Sequence, residues 1–139
     1  MIARVAVLDD WLGIAEKFAD WSRLNGIAEV HFFREPVSPA EAPRILCDFD
    51  IVVPMRERMS FPRALLEQLP KLRLLALTGY YASFIDTEYC TERCIAMCGS
   101  GEYTPYATAE MTFALMLASV RDLPAADKAI KSGVFQNGL

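Results

Sequence analysis

Five short, nearly unbroken apolar runs limit what this chain can become. They are Ala3 to Leu8, Ala28 to Phe33, Ile51 to Met55, Leu72 to Leu77 and Cys94 to Cys98. Strands covered on both faces read this way, because neither side of the pleat meets water. Between the runs the spacing becomes helical. Ile14, Phe18, Trp21 and Leu24 predict a first helix, stopped by Asn25-Gly26. Ser38-Pro39-Ala40-Glu41 carries an N-terminal signature, with Ser as cap and Glu three residues on. Phe61-Pro62 opens a third helix through Leu65, Leu66 and Leu69, and Asp86 or Thr87 caps a fourth that runs to about Arg93. Strand and helix alternating at this length predict an α/β fold with a doubly wound, five-stranded parallel sheet.

The pattern changes after Cys98. Gly99 to Tyr106 reads as a loop. Ala107 to Arg121 is a helix whose apolar residues, Met111, Phe113, Leu115, Met116, Leu117 and Val120, go round most of its girth. Such a helix should be buried, yet it is too short for a bilayer. Something outside the first hundred residues is expected to cover it, and an isolated chain is expected to self-associate through it. Asp122-Leu123-Pro124 breaks it, a last amphipathic helix runs from about Ala125 to Ser132, and Gly133 stops that one. Phe135 to Leu139 reads as a connecting segment. The expected organisation is therefore a domain over residues 1–104 and a crossover helix with connector over 105–139.

The net charge of −4 and the scattered Lys and Arg argue against a nucleic-acid surface. MIARVAVLDD is too short and too soon acidic for a signal peptide, so a cytoplasmic location is expected. Cys90, Cys94 and Cys98 are spaced by four. A strand from 94 to 98 is on the order of 13 Å long, so one metal ion cannot bridge its ends. No metal site is expected, and the four cysteines read as buried free thiols.

The candidate site lies in Leu74 to Asp86, LLALTGYYASFID, where a buried strand stops at Thr78-Gly79 and opens into a polar loop. Ligands of parallel α/β sheets bind beyond the carboxyl ends of the strands. The backbone N–H groups of Thr78 and Gly79 can meet a carboxylate there, or the pair is a strand-to-loop turn that needs glycine. Arg56, just past the third strand on the same edge, can grip a carboxylate by a forked contact; otherwise it pairs with Glu57 or is solvated. Tyr80 walls the pocket or hydrogen-bonds its ligand, or else it packs. Asp10 is expected to cap the first helix. His31, the sole histidine, falls mid-strand and reads as a packed structural residue.

Several segments, in order, resemble the D-isomer-specific 2-hydroxyacid dehydrogenase family. They are Met55-Arg56-Glu57-Arg58 followed by Phe61, Leu69-Pro70-Lys71-Leu72-Arg73, Thr78-Gly79 with Ile85-Asp86, Cys94-Ile95 to Cys98, and Ala109-Glu110 with the apolar run after it. The resemblance covers the whole chain but only the N-terminal half of a family member. It implies a flavodoxin-like substrate domain plus the helix crossing to a dinucleotide-binding domain that is missing here. It further implies NAD or NADP in the full-length enzyme, a small 2-hydroxy or 2-oxo acid substrate, and Arg56, Thr78, Gly79 and Tyr80 as substrate-binding residues. Thr108 would face the dinucleotide, or else simply cap its helix. A homodimer through the crossover helix is expected, with no nucleic-acid or membrane partner. The family's glycine-rich fingerprint and its catalytic Arg, Glu and His have no counterpart. Gly99-Ser100-Gly101 is followed by Glu-Tyr-Thr-Pro, a poor phosphate cradle. The fragment is thus expected to bind no cofactor and to be inactive. Two other readings stand beside this one. A phospho-receiver domain is suggested by Asp9-Asp10 and Thr78, but it lacks an Asp after the third strand and a Lys after the fifth. The other is a stand-alone small-molecule binding module.

Overall fold

A computed structural model describes residues 2–80, 82–101 and 106–135. The chain divides into two compact units, Met1–Glu102 and Tyr103–Leu139. The boundary expected after residue 104 and the tail from residue 136 fall outside the described residues.

The first unit is built on five parallel strands: β1 (Ala3–Val7), β2 (Ala28–Phe32), β3 (Ile51–Val53), β4 (Leu74–Ala76) and β5 (Ala96–Cys98), in the order β2-β1-β3-β4-β5. Each expected run contains its strand. The residues trimmed from the run ends are those that leave the ladder for turns. Parallel pairing brings all five carboxyl ends to one edge, which is why a site can assemble there from loops distant in sequence.

One face of this sheet carries the core. Ala6, Val52 and Leu75 point into it from three strands, against Leu46, Phe61, Leu66, Leu69 and Cys90, all fully buried. The helices over it are α2 (Ala42–Leu46), α3 (Arg63–Leu66) and α4 (Thr87–Glu92). The opposite face differs from the expectation of full cover. Val5 and Val7 are buried, but Ile51, Val53, Leu74 and Ala76 are half-buried, and Ala96 and Cys98 are exposed. An apolar run marks a strand suited to burial on both sides; whether the second side is covered depends on elements elsewhere.

Two helical expectations change for local reasons. The stretch from Ile14 to Leu24 is broken into α1 (Ala15–Phe18) and a 3₁₀ turn, Trp21–Leu24. Ala19 is extended, and the Asp20 carboxylate takes the Ser22 N–H at 3.2 Å and its hydroxyl. A short acidic side chain that bonds its own neighbours competes with the helix. Phe18 is left exposed, while Trp21 packs edge-on against Phe32 with centroids 5.2 Å apart. The Ser38 signature forms a turn instead of the first helical turn. Ser38 Oγ donates to Glu41 Oε2 at 2.6 Å, and α2 begins at Ala42. Asp86 does cap α4, accepting the Tyr89 N–H at 2.9 Å.

The cysteines also need correction. Only Cys90 is buried; Cys47 is half-buried and Cys94 and Cys98 are exposed. Cys94 precedes β5 and Cys98 ends it, and this edge strand has a neighbour on one side only. Burial pushes the Cys90 thiol up, and the Asp86 carboxylate adds to this.

In the second unit, α5 (Tyr106–Val120) buries none of its residues, and Met111, Phe113, Leu115, Met116, Leu117 and Val120 are each more than half exposed. Asp122 turns the chain with φ +47°, α6 (Leu123–Lys131) follows, and Gly133, at φ +81°, ends it. Gly133 N–H bonds Ile130 O and Val134 N–H bonds Ala129 O, a closing pair that this left-handed residue makes possible. No helix among the described residues is long and apolar enough to cross a membrane.

Candidate functional site

At the carboxyl edge, β1 runs into Asp9-Asp10, β3 into Pro54-Met55-Arg56, β4 into Thr78-Gly79 and β5 into Gly99-Ser100. In this strand order the direction of winding reverses between β1 and β3, where such sheets open a crevice.

Thr78 ties two of these ends together. Its hydroxyl accepts the Arg56 N–H at 3.1 Å and donates to Pro54 O at 3.0 Å. The first bond holds Arg56 at φ +48°, a left-handed conformation that non-glycine residues seldom adopt. Such a conformation persists only where its surroundings over-determine it. Arg56 opens a 3₁₀ turn, Arg56–Arg58, and its side chain is exposed. Among the described residues it makes no ion pair, so the expected alternative of a Glu57 bridge is not formed. Gly79 lies alongside: a β-carbon added there would sit 3.8 Å from Arg56 Cγ. That is ordinary contact, and the Gly79 φ is not left-handed. The turn itself therefore does not demand glycine. Among the described residues the N–H groups of Thr78 and Gly79 have no hydrogen-bond acceptor. Two backbone donors without an acceptor and the stem of the Arg56 side chain lie side by side at this edge, and donors and guanidinium groups of this kind are what a carboxylate binds.

The fourth strand's loop is held from the other side too. Leu77 N–H bonds Cys98 O at 2.7 Å and Ser100 N–H bonds Gly79 O at 3.2 Å. A β-carbon on Gly99 would lie 2.8 Å from Gly79 O, closer than real contacts allow. Gly-Ser-Gly after a strand was the signal for this in the sequence, but it reads there as a failed phosphate cradle. Tyr80 is 67% exposed. Tyr81 lies outside the described residues.

Asp10 acts as expected: its carboxylate accepts the N–H groups of Ile14 at 2.9 Å and Ala15 at 3.2 Å, at the start of α1. Asp9, its neighbour, is 7% exposed with φ +57°. Burial pushes its carboxyl up, opposed by the Arg58 guanidinium, which itself lies over the Trp11 ring at 5.6 Å. For an acid raised in the folded state, the native form holds more protons than the unfolded form above the ordinary value of 3.8. Stability therefore falls as pH rises through that window. Asp9→Asn, which tolerates the same backbone, is expected to flatten this fall. Thermal melts should show it gaining on the wild type between pH 4 and pH 7.

His31 packs as expected, edge-on to Phe49 with centroids 5.3 Å apart. Its Nε2 lies 3.2 Å from Glu29 Oε1 without hydrogen-bond alignment. Thr108 is in the second unit, inside α5 and not at its cap: Tyr106 already belongs to the helix. Its carbonyl accepts the Thr112 hydroxyl at 2.8 Å. The reason is that Tyr106 and Ala107 extend the helix backwards past the residue best suited to start it.

The family model described as D-isomer specific 2-hydroxyacid dehydrogenase, catalytic domain, matches residues 5–134. The chain belongs to this family. Among curated relatives it is 28% identical over 123 residues to the D-3-phosphoglycerate dehydrogenase of Archaeoglobus fulgidus, covering 88% of this chain and 23% of that protein. It is 34% identical over 87 residues to the glyoxylate reductase of Pyrococcus furiosus, covering 62% and 25%. Among solved structures, a phosphoglycerate oxidoreductase from Vibrio cholerae superposes with a TM-score of 0.78 at 28% identity, over 98% of this chain and 43% of that one. This 2-hydroxyacid dehydrogenase domain thus spans about a quarter of the curated relatives it matches and about two fifths of that structure's chain.

Proposed function

We propose that this chain is the substrate-binding portion of an oxidoreductase that transfers a hydride between NAD(P) and a D-2-hydroxy acid or 2-oxo acid. The observation that carries the reading is the junction at Thr78, which sets Arg56 beside the two backbone donors of the fourth strand's loop. The chain's own part is to bind and orient. The N–H groups of Thr78 and Gly79 take the substrate carboxylate, Arg56 neutralises it, and Tyr80 stands at the mouth.

The residues present do not fit a dinucleotide. The turn after β1 carries two buried carboxylates where a pyrophosphate would need glycines. At the turn after β5, the Ser100 N–H is already engaged by Gly79 O. No step of hydride or proton transfer is assigned to this chain, and by itself it is inactive. A dinucleotide-binding domain would supply NAD or NADP, with Thr108 near it. α5 then serves as the crossover helix, its apolar girth covered by that domain and by a second copy in a homodimer.

Titration of the ¹⁵N-labelled chain with glyoxylate tests the reading. Saturable shifts at Thr78, Gly79 and Arg56, and none with NADH, are expected. Absence of a response at Thr78 and Gly79 would remove the carboxylate site and the reading with it.

A further inference from the structure

We infer that Gly99 and Ser100, at the end of β5, are positioning residues that set the geometry of the carboxylate site without touching the substrate. This rests on the function proposed above and adds to it the part that fixes the loop.

The loop after β4 carries the two proposed backbone donors. Its donors are useful only if Thr78 and Gly79 keep one orientation, because a small misplacement of a binding group is costly. Thr78 is pinned towards β3 through its hydroxyl. That bond fixes a side chain and leaves the backbone beyond it to rotate about ψ of Gly79, a residue with no side chain to restrain it. The restraint comes from β5. Ser100 N–H holds Gly79 O at 3.2 Å, and two residues earlier on each segment Cys98 O holds Leu77 N–H at 2.7 Å. The Thr78-Gly79 pair is thus bracketed by two bonds to the neighbouring strand end.

Gly99 sits between the two β5 partners. Its φ is not left-handed, so the backbone there would accept any residue. What excludes a side chain is distance: the β-carbon would meet Gly79 O at 2.8 Å. The atom it meets is backbone, and it is the acceptor of the Ser100 bond. An added methyl group must therefore push the Gly79 carbonyl away and break the bracket. By contrast Gly101, with φ +85° and nothing within 4 Å, is a glycine for conformational reasons alone. The two glycines separate position from strain within one loop.

The test is the glyoxylate titration repeated with Gly99→Ala, Ser100→Pro and Gly101→Ala in the same 139-residue chain. Gly99→Ala should move the Gly79 and Ser100 cross-peaks in the ligand-free protein. It should also weaken glyoxylate binding at least about tenfold, as expected for a displaced binding group, while the core resonances of Val52 and Leu75 keep their places. Gly101→Ala, strained by its positive φ but with no atom to push aside, should lower the melting temperature and still bind as the wild type does. Ser100→Pro, which deletes the donor, supplies the same reading if Gly99→Ala does not fold. Wild-type affinity in either bracket variant, or equal loss in Gly101→Ala, would overturn the inference and leave the proposed function standing. A wild-type chain that ignores glyoxylate overturns both.

Discussion

Phe61→Ala should lower the unfolding free energy of the first unit by about 3–5 kcal/mol, the usual cost of emptying a buried aromatic site. Among the described residues Phe61 is the largest fully buried side chain. It is also a junction. Its N–H bonds Phe84 O at 2.8 Å, its carbonyl accepts the Asp86 N–H at 3.0 Å, and it makes an isolated parallel bridge to Ile85. The ring therefore fills the core at the place where the segment leaving β3 is stitched to the segment entering α4. Its neighbours cannot close the gap without breaking that stitch, which argues for the upper part of the range. Domains of this size are stable by roughly 5–15 kcal/mol, so the variant would lie near the edge of folding. Urea titration should show a lower midpoint with an unchanged slope. Phe61→Leu, which keeps most of the volume, should cost far less. A loss under about 1 kcal/mol for Phe61→Ala would mean that the site collapses freely, against the cavity cost seen in rigid cores.

On the function proposed above, Arg56→Ala in the whole enzyme should reduce kcat/KM for the 2-oxo acid by roughly tenfold to a hundredfold, leaving the KM for the nicotinamide cofactor unchanged. A hydrogen bond to a charged group is worth about 1.5–3 kcal/mol, and each 1.4 kcal/mol is a factor of about ten. The conformation of Arg56 provides an internal control. At φ +48° an alanine is as strained as the arginine, whereas glycine is not; the left-handed conformation costs an L-residue about 1–2 kcal/mol, of which glycine's greater unfolded-state freedom cancels about 0.4–1 kcal/mol. Arg56→Gly should therefore melt higher than Arg56→Ala yet lose the same activity. Steady-state kinetics with the oxo acid varied, set beside thermal melts of both variants, separate charge from strain. Unchanged kcat/KM in both would make Arg56 a solvated side chain.

The sheet was legible because each strand is an apolar run framed by Gly, Pro, Asn or Asp, and both signals are local. Asp86 and Gly133 were legible for the same reason: a cap and a stop act within four residues. The edge that gathers Arg56, Thr78 and Gly79 followed from the parallel sheet alone. Other features were not local. The break at Ala19 turns on the side chain of Asp20 outcompeting a helical stripe that Ile14, Phe18, Trp21 and Leu24 spell out. The exposure of Cys94 and Cys98 comes from β5 being an edge strand, which strand order decides. The contact of Gly99 with Gly79 joins residues twenty apart, and no periodicity reports it. Glycine at 79 was open between a carboxylate donor and a turn that needs glycine, and its φ does not require one; glycine at 99 looked like a failed motif and is held by a single oxygen atom.

The strand order has a consequence for the time course of folding. β1 is made before the other four strands of its sheet and lies inside it, between β2 and β3. Its second partner, Ile51–Val53, is translated long after it, and that pairing closes a long loop before any contact rewards it. During synthesis, at about 5–20 residues per second, the N-terminal segment waits several seconds as an apolar strand with an open flank. Val5 and Val7, buried in the finished sheet, are on offer to other chains throughout. The interval ends only when β3 docks, so slower translation between Phe33 and Ile51 lengthens the exposure, and chaperone binding to the first ten residues shortens its effect.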